Sequence, residues 1–282
     1  MLRALLRLSL VALGALAVLP GCIAYNDTCQ ALVDNPNERV AFIAKGTEVW
    51  LDRPNARHAN NAIGQQAADA FVWVYRDTDR PVDFAVVNGG SIRAEGLCVT
   101  RNILREGPLS NGVLHEILLF ENPVIAVDLS EEQVVAMFEH SVERLFATPA
   151  PIASPSGQFL QVSSEVSMDV DCSQPAGSRV TSLTIKGKAL QRPGRPIEQA
   201  KFRFASSSFI VNGGDGYSMI AETSTDPSRN PAQAKRFGGI DSNIAAEYLK
   251  QSPANQSVEN GLRVDGARVR FTNCSTPSRP AN

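Results

Sequence analysis

The sequence has no run of lysines and arginines, and its 27 basic residues face 29 acidic ones for a formal net charge of -2. Binding a nucleic-acid backbone takes clustered basic side chains that displace counterions, so nucleic acid is excluded as the partner. Histidine is scarce: His58, His115 and His140 are the whole set, and none stands among carboxylates at a metal-ligand spacing. The five cysteines form no Cys-x-x-Cys pair, which argues against a zinc site. No Gly-x-Ser-x-Gly nucleophile elbow is present. There is no repeat of solenoid period, and no linker that would split the chain.

What is present starts with an address. Arg3 and Arg7 precede the apolar run LSLVALGALAVLPGC, which is too short and too close to the terminus for a typical spanning helix and has the form of a secretory signal. Its end, Leu-Pro-Gly-Cys, resembles the bacterial lipobox, in which Cys22 is lipidated and becomes the mature N-terminus. The expectation is a membrane-anchored lipoprotein facing the periplasm or cell surface. Cleavage by an ordinary signal peptidase, leaving a free periplasmic or secreted protein, is the alternative. The expected layout is a signal at 1–22, one domain at 23–273 and a loose Ser/Pro-rich tail at 274–282. Export brings an oxidising compartment, so Cys29, Cys98, Cys172 and Cys274 are expected to form two disulfides. Four cysteines allow three pairings, and their spacing does not choose among them.

The remaining chain is that of an ordinary α/β protein, 43% apolar and 20% charged. Apolar islands at 40–43 and 49–51 predict two short strands. Residues 62–75 carry apolar side chains at helical spacing, and VDFAVV after Pro81 predicts a strand buried on both faces. VLHEILLFENPVIAVDLS predicts a short helix and then a strand at 124–129. Ser130 with Gln133 reads as a capping box for a helix whose apolar face is Val134, Val135, Phe138, Val142 and Leu145. SEVSMDVD alternates as a half-exposed strand, QPAGSR turns, and KFRFASSSF alternates again. A helix at 243–249 and a closing strand, ARVRF, complete the pattern.

Two loops share an Asn-Gly-Gly core and follow apolar runs: VVNGGSIRA at 86–94 and FIVNGGDGY at 209–217. Glycine admits positive φ and close approach of a ligand, and asparagine offers both donors and an acceptor; a tight turn alone needs the same residues. Their surroundings favour a site. Arg93 supplies a planar fork suited to phosphate, Asp215 a carboxylate suited to ribose hydroxyls, and Phe120 and Phe209 two aromatic faces able to sandwich a flat ring.

Taken in order, VVNGGSIRA, LLFENPVIAVDL, FEHSVER, SGQFLQVSS, GSRV and SFIVNGGDGY resemble the C-terminal, substrate-binding domain of the 5'-nucleotidases over about residues 57–250. The resemblance implies a four-layer α/β/β/α sandwich of the α/β (α+β) class, and a base stacked between Phe120 and Phe209. It places Asn88 and Arg93 on the Asn and Arg of the family's Asn-Gly-Gly-Gly-Ile-Arg motif, with Ser91 replacing a glycine. Asp215 falls on the Asp that holds the ribose hydroxyls, Asn212 joins the substrate-binding set, and Arg57 lands on a further substrate-binding Arg. Around Arg57 the family's Glu, Asn, Gly and Asn stand here as Asn60, Ala62, Gly64 and Gln65. The family's hydrolytic chemistry belongs to a metallophosphatase domain with Asp-x-His and Gly-Asn-His-Glu motifs, and neither occurs in this sequence. The implied protein binds a nucleotide or nucleoside, carries no metal or cofactor of its own, and serves nucleotide catabolism with a separate metallophosphatase subunit. A non-catalytic nucleoside-binding surface lipoprotein is the alternative.

Overall fold

The computed structural model describes residues 33–93, 102–152, 155–190, 201–221 and 239–277. The leader with Cys22, together with Cys29 and Cys98, lies outside them. In chain order the elements are β1 (Arg39–Trp50), α1 (Arg53–His58), α2 (Ala62–Tyr75), β2 (Phe84–Asn88), β3 (Ile103–Ser110), α3 (Asn111–Ile117), β4 (Val124–Ser130), α4 (Glu131–Val142), β5 (Leu160–Val162), β6 (Val166–Asp171), β7 (Val180–Ile185), β8 (Lys188–Ala189), β9 (Lys201–Ser207), α5 (Ser208–Val211), α6 (Ser218–Ala221), α7 (Asp241–Gln251) and β10 (Val269–Thr272).

A central sheet in the order β4-β9-β2-β5 organises the molecule. Its two faces differ in side-chain size, and that difference sorts the layers. Ala85, Ala126 and Ala205 lie in register across β2, β4 and β9, forming a small-residue row under α2, whose own Ala67, Ala68 and Ala70 are buried. Small residues on both sides let helix and sheet approach closely, and α7 packs beside α2. The opposite face carries Phe84, Val86, Val127 and Phe204, which meet the second sheet, β10-β6-β7-β8, and the apolar stripe of α4. Phe84 stacks on Phe204 at 5.6 Å and meets Phe138 of α4 at 5.9 Å; such pairs add about 0.5–1.5 kcal/mol each beyond area burial. The result is an α/β sandwich with one core on either side of the central sheet, as the resemblance implies.

Several elements depart from the sequence reading for identifiable reasons. The two apolar islands belong to one strand, β1, whose pairing with β3 shifts register between Ile43 and Glu48. Helix α1 was not expected, because six residues are too few to show a periodicity. Strand β9 does not alternate in exposure: from Phe202 to Ser207 it is buried on both faces, because it runs between β4 and β2. Arg203 survives there by pairing with Asp128 at 2.9 Å and bonding to the carbonyl of Arg80. The capping box of Ser130 and Gln133 is formed, and Met137 joins the buried face of α4.

The tail expected to be loose from Cys274 is fastened at its start. Cys274 bonds to Cys172, and the Ser275 N–H donates to the Phe146 carbonyl at 2.7 Å. Of the three pairings left open, the one joining Cys172 to Cys274 is therefore made. A buried ion pair crosses the domain elsewhere: both Arg268 amino groups reach the Asp69 carboxylate at 2.8 Å. Burial raises the Asp69 carboxyl above the usual carboxylate range, with the Arg268 fork pulling the other way.

Candidate functional site

The carboxyl end of β2 runs straight into the first Asn-Gly-Gly loop, at the edge of the sheet where open α/β folds bind ligands. The loop is pinned by backbone: Gly89 N–H donates to Phe159 at 2.6 Å and Gly90 N–H to Gly157 at 2.9 Å. Gly89 cannot be replaced without moving α1, since a Cβ there would sit 2.3 Å from the Ala56 carbonyl oxygen. That close approach is what brings Arg57, the next residue, up to the loop. Its guanidinium donates to the Pro155 carbonyl at 3.0 Å.

The second loop closes the site from the neighbouring strand. β9 ends at Ser207, whose hydroxyl caps the short helix α5, and α5 presents Phe209. Asn212 is the C-cap of α5 and is exposed. The chain then turns through Gly213 (φ 90°) and Asp215 (φ 52°), both in the left-handed region. This backbone turns the Asp215 carboxylate back towards β2, where it accepts from the Asn88 amide at 2.7 Å. The Ser91 hydroxyl donates to the amide oxygen of Asn88 at 2.5 Å, which fixes the amide so that its NH2 faces Asp215. Gly90 and Gly157 make room for the carboxylate: a Cβ on either would lie within 3.3 Å of Oδ2.

Phe120 comes from the turn after α3. The Arg93 guanidinium lies 5.1 Å from the Phe120 ring centre, and the Arg93 N–H donates to the Ile117 carbonyl, tying the first loop to this turn. The Ser208 N–H donates to the Pro123 carbonyl at 2.7 Å, so the segments bearing the two phenylalanines are joined by backbone. Phe120 and Phe209 are 46% and 44% exposed. Among the described residues the other aromatic rings are buried or half-buried, so these two are the candidates for contact with a ligand.

Together these residues enclose a cleft of about 310 Å³ lined by Arg57, Asn88, Arg93, Phe120, Phe209 and Asp215, with Gly90, Ser91, Asn122 and Gly157. The sequence reading nominated the first six; Asn212 lies on the loop but does not line the cleft. Asn122 and Gly157 were not singled out as site residues, although both stand inside quoted motifs, LLFENPVIAVDL and SGQFLQVSS. The cleft offers two guanidinium groups, one carboxylate and two aromatic faces, which suits a ligand with an anionic end, hydroxyls and a flat ring. Asn122 also bonds, through its carbonyl, to the N–H of Asp241, whose carboxyl is pushed up to about 6 by burial, against hydrogen bonds from Ser242 and Asn122. Among the described residues no three His, Cys, Asp or Glu side chains converge as they would around a metal ion.

Comparison with known proteins places the chain in a family. The family model described as "5'-nucleotidase, C-terminal domain" matches residues 40–222. The chain belongs to that family. An apyrase from Tabanus yao is 28% identical over 236 residues, covering 81% of this chain and 39% of the apyrase. A snake venom 5'-nucleotidase from Crotalus adamanteus is 30% identical over 198 residues, covering 67% of this chain and 30% of the enzyme. The crystal structure of a 5'-nucleotidase precursor from Thermus thermophilus superposes with a TM-score of 0.62 at 25% identity, over 83% of this chain and 39% of that one. This 5'-nucleotidase C-terminal domain thus spans about two fifths or less of the length of these relatives.

Proposed function

We propose that this 5'-nucleotidase C-terminal domain binds a nucleotide or nucleoside and serves nucleotide catabolism as the substrate-recognising part of a phosphate-ester hydrolase. One observation carries the reading: two exposed phenylalanines, two arginines and a carboxylate that are far apart in sequence line a single cleft. Phe120 and Phe209 stack on the base, Asp215 and Asn88 bind the sugar hydroxyls, and Arg93 and Arg57 face the phosphate. The cleft volume falls at the lower end of the range of small-molecule sites.

The bond-breaking step is assigned to a separate metallophosphatase subunit that carries the divalent metals. Two-metal hydrolysis needs carboxylates and imidazoles that hold two ions about 3.5–4 Å apart, and the cleft offers one carboxylate and no histidine. The same composition favours a second reading, a nucleoside-binding lipoprotein without a catalytic partner. In both, the leader exports the protein and Cys22 anchors it to the membrane, facing the periplasm or cell surface.

Calorimetric titration of the purified protein with AMP, adenosine and UDP-glucose tests the proposal, and absence of binding to all of them sinks both readings. Stacking of a base on an aromatic is worth about 1–3 kcal/mol, so Phe120→Ala and Phe209→Ala should each weaken binding by roughly 5- to 150-fold. Phosphate release on addition of a metallophosphatase domain would select the first reading over the second.

A further inference from the structure

His140 lies on α4, outside the residues that line the cleft, yet its ring touches the loop that carries Asp215. Its Nε2 is 2.9 Å from the main-chain oxygen of Asp215. A carbonyl oxygen can only accept, so Nε2 bears a proton and donates it. The other ring nitrogen faces Glu143 Oε2 at 3.4 Å, and Tyr217 meets the ring edge-on with centroids 4.8 Å apart. Gly216 presses on the ring from the loop side: a Cβ there would lie 3.0 Å from Cε1 and Nε2, and its φ of +87° already restricts the position to glycine.

The main chain of His140 completes a circuit. Its carbonyl accepts from the Gln158 amide, and the Gln158 carbonyl accepts from the Tyr217 hydroxyl. Residue 157, next to Gln158, is the glycine packed against the Asp215 carboxylate. One histidine therefore ties α4, the segment at 157–159 and the second loop together behind the carboxylate. Such a tie helps to hold Asp215 in its left-handed backbone (φ 52°), a region that aspartate tolerates but glycine favours.

We propose that His140 is a positioning residue for sugar recognition. By holding the Asp215 carbonyl it keeps the carboxylate turned into the cleft, so that ligands with vicinal hydroxyls are selected over those without. The proposal rests on the reading of Asp215 as the sugar-binding group.

The test titrates adenosine and 2',3'-dideoxyadenosine into the wild-type protein, His140→Phe and His140→Gln. Phenylalanine keeps a ring against Tyr217 and Gly216 but has no donor, and glutamine places an amide N–H near the position of Nε2. Losing one part-buried hydrogen bond of ordinary strength corresponds to about a tenfold effect. His140→Phe should therefore bind adenosine about tenfold more weakly, with dideoxyadenosine unchanged and with His140→Gln recovering most of the preference. Should His140→Phe not fold, His140→Asn, whose amide is too short to reach, takes its place with the same expectation. A wild-type protein that binds both ligands equally overturns the reading of Asp215. A wild-type preference that persists in the donor-less variant, or that vanishes equally in His140→Gln, overturns the role of His140 alone.

Discussion

His58 should cost this domain stability in acid, because of where it is buried. The side chain is 5% exposed at the end of α1, stacked 5.6 Å from Phe146, and neither ring nitrogen has a hydrogen-bond partner. Burial, with a smaller contribution from the adjacent Arg57 charge, lowers its pKa from 6.5 to about 4. The folded state thus binds fewer protons here than the unfolded state, so stability falls as the pH drops below about 6.5 and stops falling once it is below about 4. With 1.36 kcal/mol per pKa unit, the loss attributable to His58 is about 2 kcal/mol between pH 7 and pH 5, and about 3 kcal/mol in full. For a domain of this size 2 kcal/mol corresponds to roughly 4–8 °C in melting temperature. The assay is thermal melting of the wild-type protein and His58→Phe, which keeps the stack on Phe146, from pH 7.5 to 4.5. Asp241 acts in the opposite sense, since a carboxyl raised to about 6 by burial gains stability as it is protonated. The difference between the two curves therefore isolates His58. It should open steadily below pH 6.5 in favour of the variant, and parallel curves would refute the reasoning.

Two further outcomes follow from packing at the cleft and from the buried ion pair. At Gly214 an added Cβ would lie 2.6 Å from three atoms of the Phe209 ring, and that ring is half exposed and free to swing away. Gly214→Ala should leave the melting temperature within the small range of surface substitutions, about 0.5 kcal/mol, while weakening nucleoside binding in the same titration; unchanged affinity would show that the ring's position does not matter. Asp69→Ala would remove the bidentate partner of the buried Arg268 charge and leave it the half-exposed Asp265 carboxylate at 3.3 Å, at a cost of up to about 3–5 kcal/mol in urea unfolding, and the double variant Asp69→Leu with Arg268→Met should recover much of it. A loss below about 1 kcal/mol in the single variant would mean that Arg268 finds water or another partner.

Much of the architecture was legible because local physics and tertiary context agreed. α2, β2, β4 and α4 lie where apolar period and capping residues place them, since each packs against the core on the face that its pattern announces. β9 and β1 were misread because sheet partners are not visible in the sequence: β3 pairs with β1 on both sides of its register shift, and β9 lies between β4 and β2. Exposure along a strand depends on its neighbours in the sheet, so alternation in KFRFASSSF says nothing of Asp128, which lies 75 residues away and lets Arg203 be buried. The pairing of Cys172 with Cys274 is likewise a fact of proximity, because β10 runs parallel to β6 and brings the two ends together.

The site divides the same way. The residues that could stack, donate and accept were visible as types in recognisable motifs, so sequence determined which side chains are candidates for the site. Arg57 was nominated through the resemblance, and tertiary structure supplied the means by which it reaches the same cleft as Asn88, the contact of Gly89 with α1. Tertiary structure alone decided that Asn212 stays outside the cleft and that His140, on the helix capped by Ser130, touches the main chain of Asp215. A motif specifies what a side chain can do, whereas its direction is set by the strand ends, left-handed turns and glycine contacts that the whole fold imposes.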